Sequence, residues 1–265
     1  MCAHFQLSRC HNYRRRRNRT QRGQPVNNEA QWEQHAAWWQ RAYSEGADPE
    51  YEDHILPLVT RHAAGARRVL DIGCGEGQVA RQLAASGAWV MGLDPTAAQI
   101  TTADQRAGGP RYLRGRAEAL PCRDAAFDTV VLCAALEHVE AFEVALLEVA
   151  RVLEPGGRFV LVLAHPFLQT PGAGWVDDRV LNQRYWRIGA YLEEERAFHE
   201  AAPGVDLLFV HRPLSRYVRA MGQAGLLIDD MDETPPPPRF AAEHWDFPEA
   251  ATIPRVLLVR AIRAS

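Results

Sequence analysis

The chain has 265 residues and a formal net charge of −3, which suits one large α/β domain with an elaboration and a sizeable buried core. It has no run of about 18 apolar residues, so no membrane-spanning helix is expected. Its five cysteines (Cys2, Cys10, Cys74, Cys122, Cys133) lack paired or metal-ligand spacing and read as free thiols in a reducing, cytoplasmic setting, while the absence of lysine excludes lysine chemistry.

Residues 1–27 carry seven arginines, no acidic residue and no hydrophobic periodicity, and are expected to be a disordered tail. An RNA- or membrane-binding arm, or a transit-like leader, is the functional alternative for that tail. Translation is expected to start near Val26, where the helical pattern begins. From Asn28 onward 23 arginines face 33 acidic residues, a balance that repels phosphate backbones.

Residues 30–44 and 49–64 read as two capping helices, the second with Asp48 as N-cap and Pro49 at its first position. Alternation follows. Strands are expected at 67–72, 88–93, 111–114, 127–133 and 158–164. Helices are expected at 78–86, 96–106 and 141–153, the last stopped by Pro155-Gly156-Gly157. Residues 165–212 are long, aromatic and irregular, with a charged helical piece at 192–201. A helix at 213–224, a strand at 226–231, a proline-rich loop and a strand at 255–262 close the chain. The pattern predicts a doubly wound, Rossmann-like, mostly parallel seven-stranded sheet with helices on both faces and an inserted lid after the fifth strand. Residues 28–265 then form one domain: cap helices at 30–64, a core at 65–164, the lid at 165–212, and a C-terminal helix and strands at 213–265.

Gly73, Gly75 and Gly77 follow the first core strand at alternate positions. A dinucleotide loop usually reads G-x-G-x-x-G, and here the third glycine comes one residue early. Asp71 and Glu76 flank the loop. Carboxylates oppose a pyrophosphate but favour a positively charged amino group and a ribose. Asp94 ends the second strand about 20 residues later, where a carboxylate accepts both ribose hydroxyls.

These residues carry a resemblance. Val69-Leu-Asp-Ile-Gly-Cys-Gly-Glu-Gly, Gly92-Leu-Asp94-Pro, Gly115-Arg-Ala-Glu118-Ala-Leu-Pro, Phe127-Asp-Thr-Val-Val and Leu153-Glu-Pro-Gly-Gly157 resemble the ordered motifs of class I S-adenosylmethionine-dependent methyltransferases. The likeness is greatest to the type 11 group, similar to ubiquinone/menaquinone C-methyltransferases, and covers residues 67–164. It implies S-adenosylmethionine as cofactor. Gly73, Cys74 and Gly75 would let the chain approach it. Asp71 would orient the loop near the methionine amino group, and Asp94, followed by Pro95, would hold the ribose. Ala117 and Glu118 would flank the adenine, and Cys133 would offer its carbonyl to the methionine part. Arg116 departs from the family, which often has an aspartate there to accept from adenine. Arginine cannot accept, so adenine would stack on its guanidinium or use Glu118.

Histidine is the natural base if the acceptor must lose a proton. His138, His165 and His211 fall where the sheet places a pocket, each with a structural role as its alternative. Their spacing does not suit a metal. Trp175, Tyr185, Trp186 and Tyr191 of the lid would line an acceptor pocket or else form the lid's own small core. The expected function is methyl transfer to an O, N or C atom of a small molecule. The alternatives are a tRNA or rRNA methyltransferase anchored by the basic tail, a non-methylating auxiliary of cyclase type, and, more distantly, a nicotinamide oxidoreductase.

Overall fold

The computed structural model describes residues 28–244 and 248–265, so the arginine-rich tail and the start expected near Val26 lie outside the described residues. The chain begins with α1 (Asn28–Tyr43), then a π-helical turn (Tyr51–Ile55) that runs into α2 (Leu56–His62). The core follows as β1 (Arg68–Ile72), α3 (Gln78–Ala85), β2 (Trp89–Asp94), α4 (Ala97–Arg106), β3 (Arg111–Arg114) and β4 (Phe127–Cys133). A 3-10 turn (Leu136–His138) leads to α5 (Phe142–Val152) and β5 (Leu153–Ala164). Two hairpins come next, β6 (Gly174–Asp178) with β7 (Gln183–Arg187) and β8 (Glu195–Ala202) with β9 (Val205–His211). The chain closes with α6 (Leu214–Gln223), β10 (Leu226–Asp232), α7 (Pro238–His244) and β11 (Val256–Arg263).

Seven strands form one sheet in the order β10-β11-β5-β4-β1-β2-β3. β1 to β5 are parallel, and β11 runs antiparallel to both β5 and β10. The apolar runs of β1, β4 and β5 are buried on both faces, as helix-covered parallel strands require. Leu70, Leu132 and Leu161 face Phe142, Leu146 and Met221 of α5 and α6. Val69, Val131 and Val160 face Val59, Val79 and Leu83 of α2 and α3. The chain winds outward in one direction from β1 to β3, then returns to place β4 on the other side of β1. That reversal opens a crevice beyond the carboxyl ends of β1 and β4, where ligands of such sheets bind.

The insertion corrects one expectation. Residues 192–201 were read as helical, but Glu195–Ala202 form β8. Glutamates and alanines favour a helix in isolation. Here pairing with β9 supplies the backbone partners, and Ala201 and Ala202 pack with Val205 and Leu207 against Trp38, Ala42 and Tyr43 of α1. Tertiary packing overrides propensity. α7 stands where a loop was expected. Among the described residues no helix is long and apolar enough to cross a membrane.

Gly77, at the N-cap of α3, has φ +87°. A Cβ there would overlap the Tyr112 phenol, whereas one at Gly87 (φ +97°) would meet nothing within 4 Å. Both Gly→Ala changes strain the backbone, and only the first also overpacks. Urea unfolding should show a loss of about 1 kcal/mol for Gly87→Ala and about 2–4 kcal/mol for Gly77→Ala.

Candidate functional site

The crevice holds a cavity of about 400 Å³. Its floor is Gly73, Cys74 and Gly75 after β1, Asp94, Pro95 and Thr96 after β2, and Cys133 to Ala135 after β4. Arg116, Ala117 and Glu118 form one end. Asn28, Glu29, Trp32 and Trp39 of α1 form the roof, with Tyr51 and His138 beside them. Asn28, Trp32 and Trp39 are spaced i, i+4 and i+11, which puts them on one helical stripe.

Local hydrogen bonds explain the shape of the floor. The N–H groups of Gly73 and Cys74 both donate to the Leu93 carbonyl, at 2.7 and 3.1 Å, so the turn folds tightly over β2. Gly73 has φ +71°, and a Cβ there would overlap Ala135. Asp94 joins the two loops: Oδ2 accepts from the Gly75 N–H at 3.0 Å and Oδ1 from the Thr96 N–H at 2.8 Å. The Thr96 hydroxyl donates to the same carboxylate, which leaves it acceptor capacity for a ligand. Burial raises the Asp94 pKa above its ordinary value, against the Thr96 N–H and hydroxyl and the Gly75 N–H that donate to it.

Asp71 lies one layer below this lining and is 1% exposed. It accepts from the Ala80 N–H in the first turn of α3, the helix whose N-cap is a glycine without a capping side chain. Among the described residues its Oδ2 has no partner. Burial first, and the Asp94 charge second, push its pKa up to about 8. Glu76 does not face the cavity. It is held by Arg81 and Arg106, each at 2.6 Å, and by the Ser44 hydroxyl at 2.9 Å.

The roof is fastened by polar contacts along α1. Asn28 donates to the His138 carbonyl at 2.7 Å. Glu29 pairs with Arg114 and Arg116, which holds the departing Arg116 at the cavity's end. Glu33 accepts from the N–H groups of Ala97 and Ala98, at 2.7 and 3.0 Å, and so caps α4 from another helix. Gln40 donates to Gln99 and Thr102 at 2.9 and 3.0 Å.

Of the three candidate histidines, His138 alone lines the cavity. Its Nδ1–H donates to the Leu208 carbonyl at 2.6 Å, so the neutral ring keeps an acceptor lone pair on Nε2. Its ring lies edge-on to Trp32 and to Phe209, and burial pushes its pKa down to about 4. His165 instead pairs with Glu233 at 2.7 Å, and His211 bonds the Tyr191 carbonyl at 2.9 Å. Trp175, Tyr185, Trp186 and Tyr191 do not line the cavity either. Trp175 and Trp186 face each other across β6 and β7, ring centroids 5.4 Å apart. The Tyr191 hydroxyl accepts from the Leu214 N–H at 2.9 Å. Sequence reasoning passed over Trp32, Trp39 and Tyr51 as site residues, although the aromatic stripe of α1 was the available signal. Among the described residues no cluster of three metal-ligating side chains occurs.

Asp71 makes stability depend on pH. Its pKa rises from 3.8 to about 8 on folding, so the fold favours the protonated form and its contribution is lost as pH climbs through that window. Thermal melts of ligand-free protein should fall in Tm between about pH 4 and 8, and Asp71→Asn should flatten that slope.

Comparison with known proteins completes the picture. A family model described as "Methyltransferase domain" matches residues 70–161. Malonyl-[acyl-carrier protein] O-methyltransferase of Erwinia pyrifoliae is 33% identical over 136 residues, 51% of this chain and 52% of that protein. Ubiquinone/menaquinone biosynthesis C-methyltransferase UbiE of Methylobacterium nodulans is 36% identical over 133 residues, 47% of this chain and 51% of that one. The chain thus spans about half the length of these curated relatives. The crystal structure of an S-adenosylmethionine dependent methyltransferase from Mesorhizobium loti superposes with a TM-score of 0.67 at 29% identity, over 79% of this chain and 96% of that one. With these motifs on this sheet, residues 70–161 match a methyltransferase domain, and the fold is that of S-adenosylmethionine-dependent methyltransferases.

Proposed function

We propose that the protein moves a methyl group from S-adenosylmethionine to an O, N or C atom of a small-molecule acceptor by in-line displacement. The observation that carries this reading is Asp94: a buried carboxylate in the cavity lining whose two oxygens are each fixed by one backbone N–H and which, with the Thr96 hydroxyl also bound, keeps acceptor capacity towards the cavity. That arrangement suits a ribose diol. Gly75 offers backbone with no side chain nearer than 3.9 Å to a Cβ position, and the cavity's size lies in the range of small-molecule sites. Asp71, with an unpartnered oxygen beneath the glycine turn, suits a cationic amino group. Ala117, Glu118 and Arg116 would meet the adenine, and Cys133 the methionine part.

When bound, the cofactor supplies an activated methyl group on a positively charged sulfur. The chain's part is to orient, exclude water and hold the acceptor in line. α1 does the excluding, with Trp32 and Trp39 over the floor. His138 is the histidine we assign to the acceptor side. A ring with its pKa near 4 is a weak base, so it orients an acceptor through Nε2 rather than removing a tightly held proton. His165 and His211 serve as ties between elements. The acidic balance of residues 28–265 works against a nucleic-acid acceptor.

Calorimetric titration tests the reading. S-adenosylhomocysteine should bind wild type while NADH does not, and Asp94→Ala should weaken binding at least about tenfold, as the loss of a charged acceptor implies. Binding of NADH alone, or indifference to Asp94→Ala, would sink it.

A further inference from the structure

We propose that the Tyr51 hydroxyl is a positioning group for the transferred methyl, its oxygen accepting from the electron-poor C–H bonds of the sulfonium methyl. The inference rests on the cofactor reading above and adds a residue that the glycine and carboxylate motifs do not contain.

Three independent observations converge on Tyr51. The first is its backbone. Tyr51 opens a π-helical turn whose closing bond runs from the Leu56 N–H to the Tyr51 carbonyl. Such turns are rare and costly, and they concentrate at functional sites because the extra residue re-aims a side chain. The second is the clamp on that turn. Asp48 Oδ1 accepts from the N–H groups of Glu50 and Tyr51, at 2.8 and 3.2 Å. Glu50 then takes both Nε and Nη2 of Arg255, at 2.7 and 3.0 Å, in an ion pair whose side chains are 11% and 5% exposed. The Arg255 guanidinium in turn lies 4.4 Å over the Phe240 ring. A buried ion pair contributes little net stability but fixes geometry strictly. Here it ties the residue next to Tyr51 to the residue that leads into β11.

The third observation is where the hydroxyl goes. Tyr51 lines the cavity, and among the described residues its hydroxyl meets one partner only, Cys133 Sγ at 3.9 Å. Thiol contacts at that distance are weak, so the phenol oxygen keeps its lone pairs for a ligand. The titratable groups that Tyr51 senses are Cys133, Asp71 and Glu76, beside β1 and β4 and not at the Arg116–Glu118 end of the cavity. Burial holds the phenol neutral by raising its pKa well above the usual value. A neutral oxygen attracts a polarised methyl without trapping the sulfonium in an ion pair, and it leaves the in-line path to the acceptor chemically inert.

The test compares two ligands that differ by that methyl. S-adenosylmethionine and S-adenosylhomocysteine are titrated calorimetrically into wild type, Tyr51→Phe and Glu50→Gln. Tyr51→Phe removes one oxygen whose only partner is distant, so its Tm should match wild type. The expected result is a fall of about two- to fivefold in the preference for S-adenosylmethionine over S-adenosylhomocysteine, with affinity for the latter unchanged. Glu50→Gln, which leaves the hydroxyl in place but loosens its support, should reproduce part of that fall. An unchanged preference in Tyr51→Phe, or equal weakening of both ligands, overturns the proposal while leaving the cofactor reading intact. Failure of wild type to bind either ligand overturns the cofactor reading and this proposal with it.

Discussion

Two carboxylates, Asp71 and Asp94, stand at the ends of neighbouring strands with almost no water to hydrate them. Burying one such group is costly, and burying two near each other is costlier, because the Asp94 charge raises the Asp71 pKa further. The protein offsets the cost with backbone N–H groups. Asp94 takes two, from the glycine turn and from the start of α4, and Asp71 takes one, from the start of α3. These bonds shape the floor of the cavity. Gly73 follows from the same constraint, since a turn folded tightly over Leu93 brings it against Ala135 with no room for a Cβ. What remains unsatisfied, a lone oxygen on Asp71 and the remaining acceptor capacity of Asp94, is the site's chemical character.

The roof is built on a different principle. α1 meets the floor through side-chain hydrogen bonds and ion pairs at Asn28, Glu29, Glu33 and Gln40. Its apolar contacts are made with β8 and β9 on its other side, through Trp38, Ala42 and Tyr43. The helix is thus glued to the insertion by burial and latched to the floor by polar groups. Surface ion pairs of this kind are individually weak and screened by salt. The latch is therefore the softer of its two attachments.

How much of this was legible depended on how local each feature is. The glycine turn, Asp71, Asp94 and the strand rhythm of 67–164 could be read because residue type and spacing alone dictate them. The sheet with its reversed winding then placed the cavity. Features made by distant partners were illegible. Nothing local announces that Glu50 meets Arg255, that Glu33 caps α4, or that the turn at Tyr51 widens to a π-helix. The charged stretch at 192–201 misled because its helical propensity is real, and β9 with α1 outweighs it. The aromatic residues at 175 and 186 were read as cavity or core, and the β6–β7 register turns their rings on each other. Their distance from the cavity lining is set by that register, which spacing alone does not reveal.

The floor and the roof also differ in how the chain encodes them. Every floor residue falls within one contiguous stretch from Asp71 to Ala135, inside the segment that the family model matches, 70–161. The roof comes from residues 28–51 and is secured by an arginine near the far end of the chain. The two parts can therefore diverge at separate rates. A change in α1 or the turn at Tyr51 alters what the cavity admits without disturbing the carboxylates that define its floor. Substitutions in the floor strike every ligand alike. The fold separates a fixed grammar from a replaceable vocabulary, and the vocabulary lies outside the stretch by which the family is recognised.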